Sequence, residues 1–132
     1  AMMLAADWPL LAPDLPPDLL CGAVCVSGIY DLQPLVRTPF LQQDLRLDAA
    51  TARRLSPIAY RPKLATPLLT AVGGKESAEF RRQNRLIHEA WPHCLGHDLP
   101  LPGRHHLASV EALGAADQPL FHATLRLLGK AP

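Results

Sequence analysis

The sequence predicts an α/β fold: a parallel sheet of about three strands with flanking helices. Two short apolar runs point to it, Gly22-Ala23-Val24-Cys25-Val26-Ser27-Gly28 and Pro67-Leu68-Leu69-Thr70-Ala71-Val72 with Gly73-Gly74 behind it. Each is closed by glycine, the pattern of a strand covered on both faces. Helical segments separate the runs, which argues for parallel pairing through right-handed crossovers. The length, 132 residues, suits one small domain over 1–132, able to bury roughly two-thirds of the surface of the unfolded chain.

Taken in order, Ala1-Met2-Met3-Leu4-Ala5-Ala6 holds strong helix formers without a cap ahead of them and reads as the last turns of a helix. Between Asp7 and Pro17, four prolines make a helix costly and predict a surface loop. The strand around Val24 follows. Residues 35–66 then form a helical excursion without a strand; its clearest piece is a helix capped by Asp48 and ended by Ser56-Pro57. After the second strand, Ser77 caps a helix over 78–91 whose apolar Phe80, Ile87 and Trp91 share one face. A third strand, 96–101, is confined to an edge or terminal position by Pro100. A tight loop, Pro102-Gly103-Arg104-His105-His106, leads to a short helix through Val110, and an amphipathic helix over 119–128 closes the chain before Gly129.

Composition narrows the function classes. With 48% apolar and 19% charged residues the chain is globular rather than disordered. A net charge of +1, with basic residues scattered from Arg37 to Lys130, leaves no footprint for nucleic acid or an anionic membrane. No apolar run approaches the roughly 18 residues of a membrane helix, and no basic segment leads into an apolar one at the start. Three cysteines, an odd number, argue for reduced thiols and a cytoplasmic setting. Cys21 and Cys25, if on one strand, stand about 13 Å apart and cannot bridge.

In open α/β sheets reactive groups gather beyond the carboxyl ends of the strands. Glu76 follows the second strand by a few residues and His106 follows the third, so the two can meet above neighbouring strands. A carboxylate beside a histidine fixes its tautomer and stabilises imidazolium, as the base of a nucleophilic triad requires. Plainer readings stand beside this one: Glu76 as a solvated partner of the following helix N-terminus, and His105 and His106 as loop residues moving no proton. A metal site through His93, His97, His105 and His106 lacks ordered ligand spacing, and no cofactor motif is present; Gly73-Gly74 does not have phosphate-loop spacing. None of Ser27, Ser56, Ser77 and Ser109 sits in a G-x-S-x-G elbow, and no HGG-type loop supplies oxyanion donors.

Four stretches carry a resemblance over nearly the whole chain: Ser27-Gly28-Ile29-Tyr30-Asp31-Leu32-Gln33-Pro34-Leu35, Arg53-Arg54-Leu55-Ser56-Pro57, residues 72–83 from Val72-Gly73-Gly74-Lys75-Glu76 to Gln83, and Gly103-Arg104-His105-His106 with Val110-Glu111-Ala112-Leu113. Together they resemble the C-terminal half of an α/β-hydrolase, closest to the kynurenine formamidase-like (arylformamidase-like) esterases. The resemblance implies a Ser-acid-His hydrolase acting on a small ester or N-formyl amide, with Glu76 as acid and His106 as base. The family's acid is more often aspartate and the residue before its histidine more often asparagine, so His105 competes as base and Asp31 is the reserve acid. It further implies that the nucleophile and oxyanion hole lie upstream, that this chain alone is inactive, and that its first strand offers an unpaired edge to a missing N-terminal half or a second copy. The alternative is a non-catalytic interaction module using that edge.

Overall fold

Three parallel strands, β1 (Ala23–Val26), β2 (Leu68–Gly73) and β3 (Leu95–Leu101), lie side by side in the order β1-β2-β3 in the computed structural model, which describes residues 1–129. The α/β class read from the sequence is the observed one. β2 is the central strand, paired with β1 on one side and β3 on the other, and both its faces are covered. Side chains alternate across a strand, so Leu68 and Thr70 face helix α5 (Ala78–Ala90) while Leu69 and Ala71 face the helices of the other layer. One core cluster joins Leu68 to Leu4, Tyr30, Ile87, Trp91 and Cys94; the other joins Ala71 to Leu101, Ala112 and Leu120. Burial of each such side chain contributes roughly 1.5–3 kcal/mol for the larger aliphatic ones.

The remaining helices are α1 (Met2–Ala5), α2 (Trp8–Leu11), α3 (Pro39–Leu45), α4 (Ala49–Leu55), α6 (His106–Glu111) and α7 (Pro119–Leu127). Their ends follow the sequence chemistry. The Asp48 carboxylate accepts the Thr51 N–H at 2.6 Å at the start of α4, and the Ser77 hydroxyl accepts the Phe80 N–H at 3.4 Å at the start of α5. Pro39 and Pro119 open α3 and α7 at first-turn positions, where a missing N–H breaks no helical bond.

Three expectations are corrected. The proline-rich stretch expected as loop contains α2, a single exposed turn, because Pro9 falls in its first turn where proline is tolerated. β1 is only four residues long and half-buried throughout rather than covered on both faces; it pairs with β2 alone among the described strands and so stands at an edge of the sheet. Ile87 and Trp91 enter the core, but Phe80 does not: the first turn of α5 projects past the sheet, and its aromatic ring sits over the rim.

No helix among the described residues is long and apolar enough to cross a membrane.

Candidate active site

Two loops at the carboxyl end of the sheet are stitched to each other by backbone hydrogen bonds. The Gly74 N–H donates to the Leu101 carbonyl at 2.9 Å and the Lys75 N–H to the Arg104 carbonyl at 3.0 Å. Their close approach depends on Gly73, where a Cβ would lie 2.4 Å from both the Arg104 carbonyl oxygen and the Ser109 hydroxyl. Gly103, at φ 76°, makes the left-handed turn that brings the chain back into α6.

This stitching places Glu76 against His106. Oε2 of Glu76 is 2.8 Å from Nδ1 of His106. Oε1 accepts from the Ser27 hydroxyl at 2.6 Å, the Gly73 N–H at 2.7 Å and the Ser109 hydroxyl at 2.9 Å. The Glu76 side chain is 0% exposed and that of His106 is 52% exposed, so a buried acid backs a solvent-facing ring. Burial pushes the Glu76 carboxyl up, but hydrogen bonds from Ser27, Gly73, His106 and Ser109 outweigh it and hold the group below the ordinary glutamate value. An ionised carboxylate can only accept, so the proton of neutral His106 sits on Nδ1 and the Nε2 lone pair is left free to take another. Phe80 fixes the ring from the side: its centroid is 4.4 Å from that of His106, stacked at 26°.

The neighbouring candidates go elsewhere. His105 is the N-cap of α6, its Nδ1 accepting the Ala108 N–H at 3.3 Å, and it makes no contact with Glu76. The reserve acid Asp31 accepts the Gln33 N–H at 3.0 Å and pairs with Arg82 at 3.4 Å, and it makes no hydrogen bond to His106. Gln83 holds this loop in place, its Oε1 accepting the N–H groups of Tyr30 and Asp31, each at 2.8 Å. Among the described residues no group of three or more His, Cys, Asp or Glu side chains converges as a metal site would require. Phe80 also walls an apolar cavity of about 200 Å³ shared with Ile29, Leu35, Phe40 and Leu41.

Each of the four serine hydroxyls already has a partner. Ser27 and Ser109 serve Glu76, Ser56 donates to the Ala52 carbonyl at 2.7 Å, and Ser77 caps α5.

Ser27, Ser109 and Phe80 were not singled out by the sequence as site residues. Ser109 stands three residues after His106 on one helix, a spacing that shares a face. Ser27 left only the trace of a polar residue closing an apolar strand at its carboxyl end.

Over 139 aligned positions the chain is 31% identical to the kynurenine formamidase of Salmo salar, covering 99% of this chain and 46% of that protein. It is 35% identical to the kynurenine formamidase of Danio rerio over 95 positions, 68% of this chain and 31% of that protein. The chain spans less than half the length of these relatives. In fold it is similar to a crystal structure of a candidate thioesterase from Silicibacter sp., with a TM-score of 0.69 and 26% identity over 84% of this chain and 42% of that one. No family model matches the chain.

Proposed function

Because this chain is kynurenine formamidase-like over nearly its whole length, we propose that it is the acid- and base-bearing part of an α/β-hydrolase that cleaves small esters or N-formyl amides through a serine nucleophile. The observation that carries this reading is the 2.8 Å contact between Oε2 of Glu76 and Nδ1 of His106, made by a carboxylate whose other oxygen is fully engaged.

In the proposed reaction Nε2 of His106 takes the proton of the nucleophilic hydroxyl as its oxygen bonds to the carbonyl carbon. Glu76 stabilises the imidazolium that forms. The tetrahedral intermediate collapses as His106 gives that proton to the departing alcohol or amine. Water, deprotonated by the same nitrogen, then releases the acid and restores the serine. The apolar cavity beside Phe80 offers room for the non-reacting part of a small substrate. The scheme calls on no cofactor.

The nucleophile and the oxyanion donors belong, in this reading, to the rest of the complete protein. Among the described residues none of the four serine hydroxyls is hydrogen-bonded to His106, which supports it, and the chain alone is expected to show no triad-dependent turnover. Three free thiols suit a cytoplasmic setting.

The test is hydrolysis of an activated ester by the complete protein, together with labelling by a serine-directed phosphonate. Glu76→Ala and His106→Ala should each remove most of the turnover; full activity in both defeats the assignment, and loss in His105→Ala alone moves the base to that residue. The half-buried outer edge of β1 favours a second reading, an interaction module that takes up a strand from the upstream half or from a second copy. An in-frame G-x-S-x-G upstream of Ala1 selects the hydrolase, and a monomer in sedimentation at high concentration removes self-association.

A further inference from the structure

We propose that Ser27 is a positioning residue for the Glu76 carboxylate, its hydroxyl acting with that of Ser109 to pin Oε1 so that Oε2 alone faces His106. This rests on the acid–base reading above and adds to it the device that orients the acid.

The backbone supplies the first reason. Ser27 has φ 52°, in the left-handed region where an L side chain is disfavoured and glycine is at ease. Glycine stands immediately beside it at position 28, where it answers a different need: a Cβ there would lie 2.3 Å from the Tyr30 hydroxyl. A serine thus occupies the position where the backbone would prefer glycine. Its side chain is buried and its hydroxyl donates to Glu76 at 2.6 Å.

The acceptor supplies the second. A carboxylate has about two lone-pair sites per oxygen, and Oε1 already has three donors around it, from β1's exit, from the end of β2 and from α6. Rotation of the carboxylate would have to break all three. The Ser109 hydroxyl is 0% exposed and also lies 3.0 Å from the His105 carbonyl, so its single proton is shared between two acceptors. Ser27 has no such competitor and is the firmer of the two hydroxyl anchors. A glutamate has one more rotatable bond than an aspartate would, and so has more freedom to be restrained.

The experiment is ¹⁵N NMR of the His106 ring in the 132-residue chain, with titration of the Glu76 carboxyl carbon. In the wild type the neutral ring is expected as the Nδ1–H tautomer. Ser27→Gly removes the hydroxyl but suits the left-handed backbone, whose relief offsets part of the lost hydrogen bond, so the variant should still fold and its melting temperature should fall only slightly. Its His106 signals should nevertheless move toward the Nε2–H tautomer, and the acid dissociation constant of Glu76 should fall roughly tenfold. Ser109→Ala should act in the same direction, and the double variant further. If Glu76→Gln shifts the tautomer and the serine variants shift neither the tautomer nor the carboxyl titration, the serines only fill space and the positioning role is overturned. If Glu76→Gln itself leaves the His106 signals unmoved, the acid–base pairing fails and the positioning role falls with it.

Discussion

The loops leaving β1 and β2 each carry a carboxylate toward the same end of the sheet, and they satisfy it in opposite ways. Asp31, after β1, is paired with the Arg82 guanidinium at 3.4 Å, and Arg82 also binds Glu79 at 2.7 Å. The Glu76 carboxylate, after β2, has no Lys or Arg partner among the described residues: two hydroxyls and a backbone N–H hold one oxygen, and a histidine meets the other. A carboxylate already neutralised by a fixed cation has little to offer an imidazolium. One held ionised by neutral donors keeps its full charge for the ring beside it. The nature of the partner, more than the distance from a strand end, separates the structural acid from the candidate catalytic one.

Activity gives the sharpest test of that contrast. In the complete protein, Glu76→Gln and His106→Ala should each lower kcat toward an activated ester by about 10³–10⁴-fold, while Asp31→Asn, on the wall of the apolar cavity, should leave kcat within a few fold. Equal losses at Glu76 and Asp31 would break the distinction.

Stability should follow the same ranking. Glu76→Ala strands two buried donors, the Ser27 hydroxyl and the Gly73 N–H, while Ser109 keeps the His105 carbonyl, and is expected to cost about 2–4 kcal/mol in urea denaturation. Asp31→Ala removes a partly buried ion pair and the acceptor of the Gln33 N–H, and should cost about 1–2 kcal/mol. Gly73→Ala drives a Cβ into the Arg104 carbonyl and the Ser109 hydroxyl, and should destabilise by about 1–3 kcal/mol while loosening the His106 ring signals.

The smallest effect is in pH dependence. The Glu76 carboxyl is lower in the folded chain than unfolded, so its contribution is complete above the ordinary glutamate value. As pH falls the unfolded state takes up the proton first, and the contribution is lost down to the lowered folded value. The urea midpoint of Glu76→Gln should therefore vary less below about pH 5 than that of the wild type. The slope that remains belongs in part to Glu79, held down chiefly by its hydrogen bond from Arg82, and to Asp48, held down by the Thr51 N–H.

Particular residues show how far the sequence could be read. Asp48 and Ser77 were legible as caps because capping is decided within three residues of chain. β2 was legible from an apolar run bounded by proline and glycine, β3 as a short stretch between Gly96 and Leu101 that Pro100 confines to an edge, and the meeting of Glu76 with His106 from the order of strands and loops. β1 was harder: an apolar run looks the same whether one or both of its sides are paired. Phe80 matched a helical core position, but its place in the first turn of α5 put it over the rim. The proline-rich stretch hid α2 because proline breaks a helix interior and suits a helix start.

By itself the sequence determined the α/β class, the caps, and the two loops that bear Glu76 and His106, since each depends on local propensity or on the order of elements along the chain. Only the tertiary structure decided which of two adjacent histidines meets Glu76, which of two carboxylates remains without a cation, and that a serine in a left-handed backbone supports the chosen one. Those choices depend on side chains from β1's exit, the β2 loop and α6 converging within hydrogen-bond distance. Spacing along the chain does not encode that convergence.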